Sequence, residues 1–177
     1  YYMDYNNQLV LTGELNDVGS NIRQNVKDSY RAGIELVGSV LLAPTFRVSA
    51  NLALSQNKIK NFAEVLYNYD PFEVIVNDFE NTDISFSPNV IGGATLTYMP
   101  VKNMEINLIS KYVGQQFLDN TSNENRAIDA FFINDLRINY SFKTKWAKEI
   151  RVGLLVNNLF DVQYEPNGYT FSFFLGQ

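Results

Sequence analysis

Hydrophobic and polar residues alternate with period two along most of the chain. Between residues 30 and 42 the even positions read Tyr30, Ala32, Ile34, Leu36, Gly38, Val40 and Leu42, with Arg31, Gly33, Glu35 and Ser39 among the odd ones. Successive side chains of an extended segment point to opposite faces, so this stretch predicts a strand with one apolar side. Phe46, Val48, Ala50, Leu52 and Leu54 repeat the pattern against Arg47, Ser49, Asn51 and Ser55, after a turn at Pro44 and Thr45. The two segments therefore predict a hairpin. Val90, Gly92, Ala94, Leu96 and Tyr98, then Met104, Ile106, Leu108 and Tyr112, give the next two strands, joined near Pro100. Phe132, Leu136, Ile138, Tyr140 and Phe142, then Ile150, Val152, Leu154 and Val156, give two more. At the front, Tyr1, Met3, Tyr5, Leu9 and Leu11 are set against Tyr2, Asp4, Asn6 and Gln8 as one further strand. The total is about seven, with residues 169–175 a candidate short eighth. No helix is expected, because the best helical stretch, 65–76, is interrupted by Pro71.

Connection lengths add an orientation. Tight turns at Pro44, Pro100 and Lys145 alternate with long polar links over residues 12–29, 61–88 and 118–128, so all the tight turns fall at one end of the sheet. That segregation is the layout of outer-membrane barrels. The strands run to about 11 residues, longer than usual in globular sheets and sufficient for the tilted 9–11 that cross a bilayer. Tyr30, Phe46, Tyr98, Tyr112, Phe142 and Phe160 sit near strand ends, where an interfacial girdle places its rings. The even positions from Tyr30 onward are accordingly assigned to lipid. Packing of the same faces into the core of a soluble sandwich is the competing interpretation.

Composition narrows the chemistry. Among 177 residues there is no His and no Cys, which removes zinc sites, disulfides and His-dependent catalysis. Fourteen basic against 19 acidic residues give a net charge of -5, and no basic block is present to neutralise nucleic-acid phosphates. No stretch approaches the roughly 18 apolar residues of a membrane-spanning helix, a test to which an alternating barrel strand is blind. No nucleophile lies beside a base and no Gly-rich phosphate loop follows a strand, so neither an enzyme nor a cofactor is expected.

Three stretches resemble the C-terminal barrel region of TonB-dependent outer-membrane receptors. Val156, Asn157, Asn158, Leu159, Phe160, Asp161, Val162, Gln163 and Tyr164 resemble the family's penultimate-strand signature. Residues 2–10 precede a loop and an Arg-x-Gly-Ile-Glu strand, here Arg31, Gly33, Ile34 and Glu35, and Lys111 to Gln116 resembles a third family element. The resemblance implies an all-β, antiparallel, up-and-down transmembrane barrel segment, seven to eight strands of a barrel of roughly 22. The expected domain is residues 1–177 as its C-terminal portion, without plug domain or closing strand. Implied partners are outer-membrane lipid, the plug and remaining strands, TonB through the missing N-terminal region, and a surface lipoprotein. The implied function is import of a scarce nutrient, a siderophore, haem, cobalamin or an oligosaccharide, at the bacterial outer membrane. A small closed barrel with a structural or adhesive role and a carbohydrate-binding sandwich are the alternatives.

Two groups of residues are candidates for function. In the stretch 61–88, Tyr67, Tyr69, Asp70, Asp78, Glu80 and Asp83 combine aromatic and acidic groups suited to touching a ligand from an exterior loop. Arg31, Glu35, Arg47, Glu105, Lys111, Asp135, Arg137 and Arg151 lie on the polar faces, which in a barrel line the lumen. The run from Asn157 to Asp161 is expected to end a strand, since Asn and Asp bond their own backbone at turns.

Overall fold

The computed structural model describes residues 1–69, 71–171 and 173–174. Its strands are β1 (Tyr2–Leu15), β2 (Asn21–Ala43), β3 (Phe46–Tyr69), β4 (Phe72–Asp83), β5 (Val90–Tyr98), β6 (Met104–Val113), β7 (Gln116–Phe117), β8 (Ala127–Ile128), β9 (Phe131–Phe142), β10 (Ile150–Val156) and β11 (Phe173–Phe174). The main sheet follows the order β1-β2-β3-β5-β6-β9-β10, with β4 and β11 attached to β3. Each neighbouring pair along that path is antiparallel, so the wall runs up and down as the alternation predicts. Among the described residues β1 and β10 each have one strand neighbour, and the sheet is not closed.

Registry carries the period-two pattern across the whole wall. Val40, Val48, Leu96, Leu108, Leu136 and Val156 form one continuous row, and Leu36, Leu52, Gly92, Tyr112 and Phe132 another. Ile34, Leu36, Val40, Leu42, Val152 and Leu154 on this side are each more than half exposed. An apolar face of that extent is untenable in water and is what hydrocarbon requires. Aromatic rings bound it at both ends. Phe46 meets Tyr98 at 6.3 Å and Tyr140 meets Phe142 at 5.7 Å near the short turns, while Tyr2 stacks on Tyr30 at 6.1 Å at the other end. From Phe132 to Tyr140 the strand rises about 27 Å, or about 21 Å across the layer at a 40° tilt, close to the height of a lipid-facing band.

The opposite side is polar and cross-linked. Thr97 Oγ1 donates to Asn107 Oδ1 at 2.7 Å, Ser39 and Ser49 share a hydroxyl bond of 2.9 Å, and Arg31 Nη1 donates to Asn57 Oδ1 at 3.0 Å. Gly33 sits on this side, where a Cβ would come within 2.6 Å of the Leu54 carbonyl oxygen and 2.7 Å of the Tyr1 hydroxyl. Only glycine admits that approach.

Three expectations are corrected. The links over 12–29 and 61–88 are strand rather than loop for most of their length: β1 and β2 pair from Tyr2 to Leu15, and β3 and β4 pair from Lys58 to Tyr69. The front strand does not keep one apolar face. Met3 and Tyr5 pair with Arg31 and Ser29 on the polar side, whereas Val10 is buried and Leu9 exposed. Finally, the described part of 169–175 does not add an antiparallel strand at either edge of the wall. Thr170 forms a parallel bridge with Glu14, and β11 pairs in parallel with Tyr67 and Asn68.

The first two corrections share a cause. Asn7 in β1 and Asn81 in β4 have φ of 61° and 55°, a conformation that breaks the pleat and reverses which parity faces inward. In β2 and β3 the buried apolar or hydroxyl positions below that level are odd, Ser29 and Ile59, and above it they are even, Val26, Phe62 and Leu66. Asn tolerates this backbone where a β-branched residue does not. Asn81→Val should therefore destabilise the β3–β4 hairpin by about 1–2 kcal/mol while Asn81→Gly leaves it intact. Hydrogen exchange of the hairpin amides in the detergent-solubilised protein checks this, and equal protection in both variants would contradict it.

Candidate functional site

Beyond the Tyr2–Tyr30 row the two hairpins continue past the lipid-facing band and pack on each other. Val10, Val26, Ile59, Phe62 and Ile84 form their core, with Phe79 against it. The segment from β7 to β8 folds onto this core. β7 pairs with β8, and a 3-10 turn at Glu124–Arg126 is capped by Asn123, whose side chain accepts from the Asn125 amide.

Asn120 is fully buried and anchors the segment. Its Nδ2 donates to the Leu11 carbonyl at 2.7 Å, and its Oδ1 accepts from the Ser85 amide at 2.9 Å. Ser85 Oγ donates to the same Leu11 carbonyl at 2.8 Å. Arg126 then ties loop to hairpin: Nη1 donates to Asp119 Oδ2 at 2.9 Å and to Glu64 Oε1. Burial alone would lower the Arg126 pKa, but hydrogen bonds and attraction from Glu64 and Asp119 outweigh it and raise it. Asp119 Oδ1 also accepts from Thr121, from the amide at 3.0 Å and from the hydroxyl at 2.6 Å. A polar recess opens between the hairpins, lined by Thr12, Gln24, Glu64, Tyr67, Thr121 and Arg126 among others. Three carboxylates, of Glu14, Glu64 and Asp119, against the one guanidinium of Arg126 leave it acidic, and its hydroxyl and amide groups suit hydrogen bonding to a polar solute.

The structure does not gather the residues singled out by composition. Tyr67 reaches the recess. Asp78 and Glu80 lie on the exposed outer side of β4, because alternation in a strand sends them away from Phe79. Asp83 accepts from Lys58 Nζ at 2.9 Å and from Ser122 Oγ at 3.1 Å. Tyr69 is placed by its backbone alone, and Asp70 lies outside the described residues. Asp119, Asn120 and Arg126 were not singled out by the sequence, and Glu64, one of the acids of 61–88, was not joined to them, since nothing local marks partners so far apart. Among the described residues no group of acidic side chains is arranged to hold a metal ion.

The stretch at 157–164 is a locked turn. Asn158 and Asp161 have φ of 49° and 52°. Asn158 accepts from the Val162 amide and donates to the Val162 carbonyl, each at 3.0 Å, while its own amide donates to Asp135 Oδ1 at 2.8 Å. The Leu159 amide donates to the Asn134 carbonyl at 2.6 Å. Tyr164 stacks on Phe131 at 4.5 Å, and Leu159 and Phe160 are exposed. Arg31 holds Asn57 and Ser87, and Glu35 stands exposed on the polar side.

An up-and-down wall with an aromatic-bounded apolar side, a polar side, tight turns at one end and long hairpins at the other has the layout of a segment of a transmembrane β-barrel. The family model described as TonB dependent receptor-like, beta-barrel matches residues 1–159, and the chain belongs to that family. A solved structure, the ferric yersiniabactin uptake receptor FyuA from Yersinia pestis, superposes with a TM-score of 0.59 at 16% identity over 85% of this chain. That likeness is one of fold, and the chain spans about a fifth (21%) of that receptor's length. No curated relative matches.

Proposed function

We propose that the chain is the C-terminal portion of the barrel of an outer-membrane active transporter, importing a scarce nutrient with energy coupled through TonB. The family match over residues 1–159 carries this reading; the likeness in fold to a siderophore uptake receptor supports it. The chain would supply lipid-facing wall, a polar lumen side against which a plug rests, and an exterior cap whose recess first meets the solute. The family is one of receptors, not of enzymes. A surface lipoprotein would meet this protein at the same exterior hairpins.

The test uses an antibody to the β3–β4 hairpin on outer-membrane fractions and co-purification with the periplasmic domain of TonB. A denatured mass several times 20.2 kDa, together with retention by TonB, is the expected result. A polypeptide near 20.2 kDa that TonB does not retain would overturn the transport reading in favour of a small self-contained barrel.

A further inference from the structure

β4 has a strand on one edge only among the described residues. Lys58 and Ile59 pair with β2 and with β4 at once, so β4 lies on the edge of β3 that lower down holds β5. The next strands in that direction, β6 and β9, end and begin at Val113 and Phe131, level through Ile91 with Ala53 of β3. Tyr69 is a further 50 Å along the strand, roughly. Among the described residues the wall does not rise to cover β4; the loop below bonds its base, where the Asp83 amide donates to Ser122 Oγ at 2.7 Å, and meets the hairpin again through Arg126 at Glu64, the registry partner of Asn77.

An open strand edge is a row of backbone donors and acceptors ready to pair. The side chains beside it are specific. Val74 and Val76, 47% and 56% exposed, pair with Tyr67 and Val65, which are also exposed. Farther along the same side come Asp78 and Glu80, both exposed. Neither β4 nor the facing residues 61–69 contain a Lys or Arg. A second copy of the chain would bring another Glu73, Asp78 and Glu80 to the junction with no base to offset them, so self-pairing is disfavoured.

We propose that the β4 edge captures an extended segment of another protein as an added antiparallel strand. Two apolar side chains of that segment lie beside Val74 and Val76, and two basic ones beside Asp78 and Glu80. The proposal requires only that the hairpin stand outside the bilayer, and is independent of what the barrel transports.

The test measures fluorescence anisotropy of a labelled peptide, Lys-Thr-Lys-Thr-Val-Thr-Val-Thr with blocked ends, added to the full-length receptor in nanodiscs. Saturable binding is expected, weakened about tenfold or more by the pair Asp78→Lys and Glu80→Lys. Peptide N-methylated at alternate amides, which keeps its charge but cannot join a sheet, should lose a similar factor. Both substituted residues are exposed, and the heat-modifiable mobility of the variant confirms that its barrel is folded. No saturable binding, equal binding of the N-methylated peptide, or indifference to the charge reversal would each overturn the proposal.

Discussion

Receptor carrying Leu52→Arg or Leu108→Arg should fail to accumulate as folded barrel, whereas Asn51→Arg should assemble nearly as well as the parent. Leu52 lies in the row with Leu36 and Gly92, and Leu108 in the row with Leu96 and Leu136, on the side that the aromatic pairs bound. A guanidinium there must leave water for hydrocarbon at about 2–4 kcal/mol near the midplane of a bilayer. Asn51, one residue along, faces the lumen side with Val37 and Gly93 as its registry partners, where an added charge stays in water. The readout is the fraction of outer-membrane receptor that migrates as the compact, heat-modifiable form. Equal losses for Leu52→Arg and Asn51→Arg would show that the two sides have been assigned wrongly.

The part of the wall inside the bilayer is legible because one phase of alternation persists from turn to girdle. Residues 30–42 and 46–54 read directly as the paired strands that β2 and β3 contain. Legibility ends at Asn7 and Asn81, whose positive φ shifts the phase by one residue. A scan that assumes a constant phase loses the alternation there, and the polar make-up of 12–29 and 61–88 then reads as loop. The same slip explains the front strand, where Met3 and Leu9 share parity but lie on opposite sides of the break.

The cap was less legible for a different reason. Its contacts join residues far apart in sequence: Asn120 holds the Leu11 carbonyl and Arg126 holds Glu64. No periodicity encodes such pairs. Composition pointed to the acids of 61–88 as a group, without separating Glu64, which bonds Arg126, from Asp78 and Glu80, which the pleat of the hairpin turns outward.

Arg126→Met should open this cap while the wall stays folded. The substitution leaves the Glu64 and Asp119 carboxylates, whose side chains are 12% and 6% exposed, facing each other without a counter-charge. Removing one partner of such a pair costs about 3 kcal/mol, the lower end of the range because Arg126 itself is partly exposed, or roughly 100-fold in the local opening equilibrium. Hydrogen exchange of the amides of 118–126 should rise by that factor, and proteases added outside intact cells should cut there, with the heat-modifiable mobility unchanged. Adding Glu64→Gln and Asp119→Asn to the same variant should restore most of the protection, because the cost lies in stranded charge more than in the lost attraction. A raised guanidinium pKa contributes stability that is complete at every pH below the ordinary guanidinium range and is lost only as pH rises through the raised value. Titration of Arg126 therefore leaves the cap latched throughout the neutral range. If Arg126→Met exchanges and is cleaved like the parent, Asn120 and the apolar core of the hairpins are sufficient to hold the cap, and the ion pairs only decorate it.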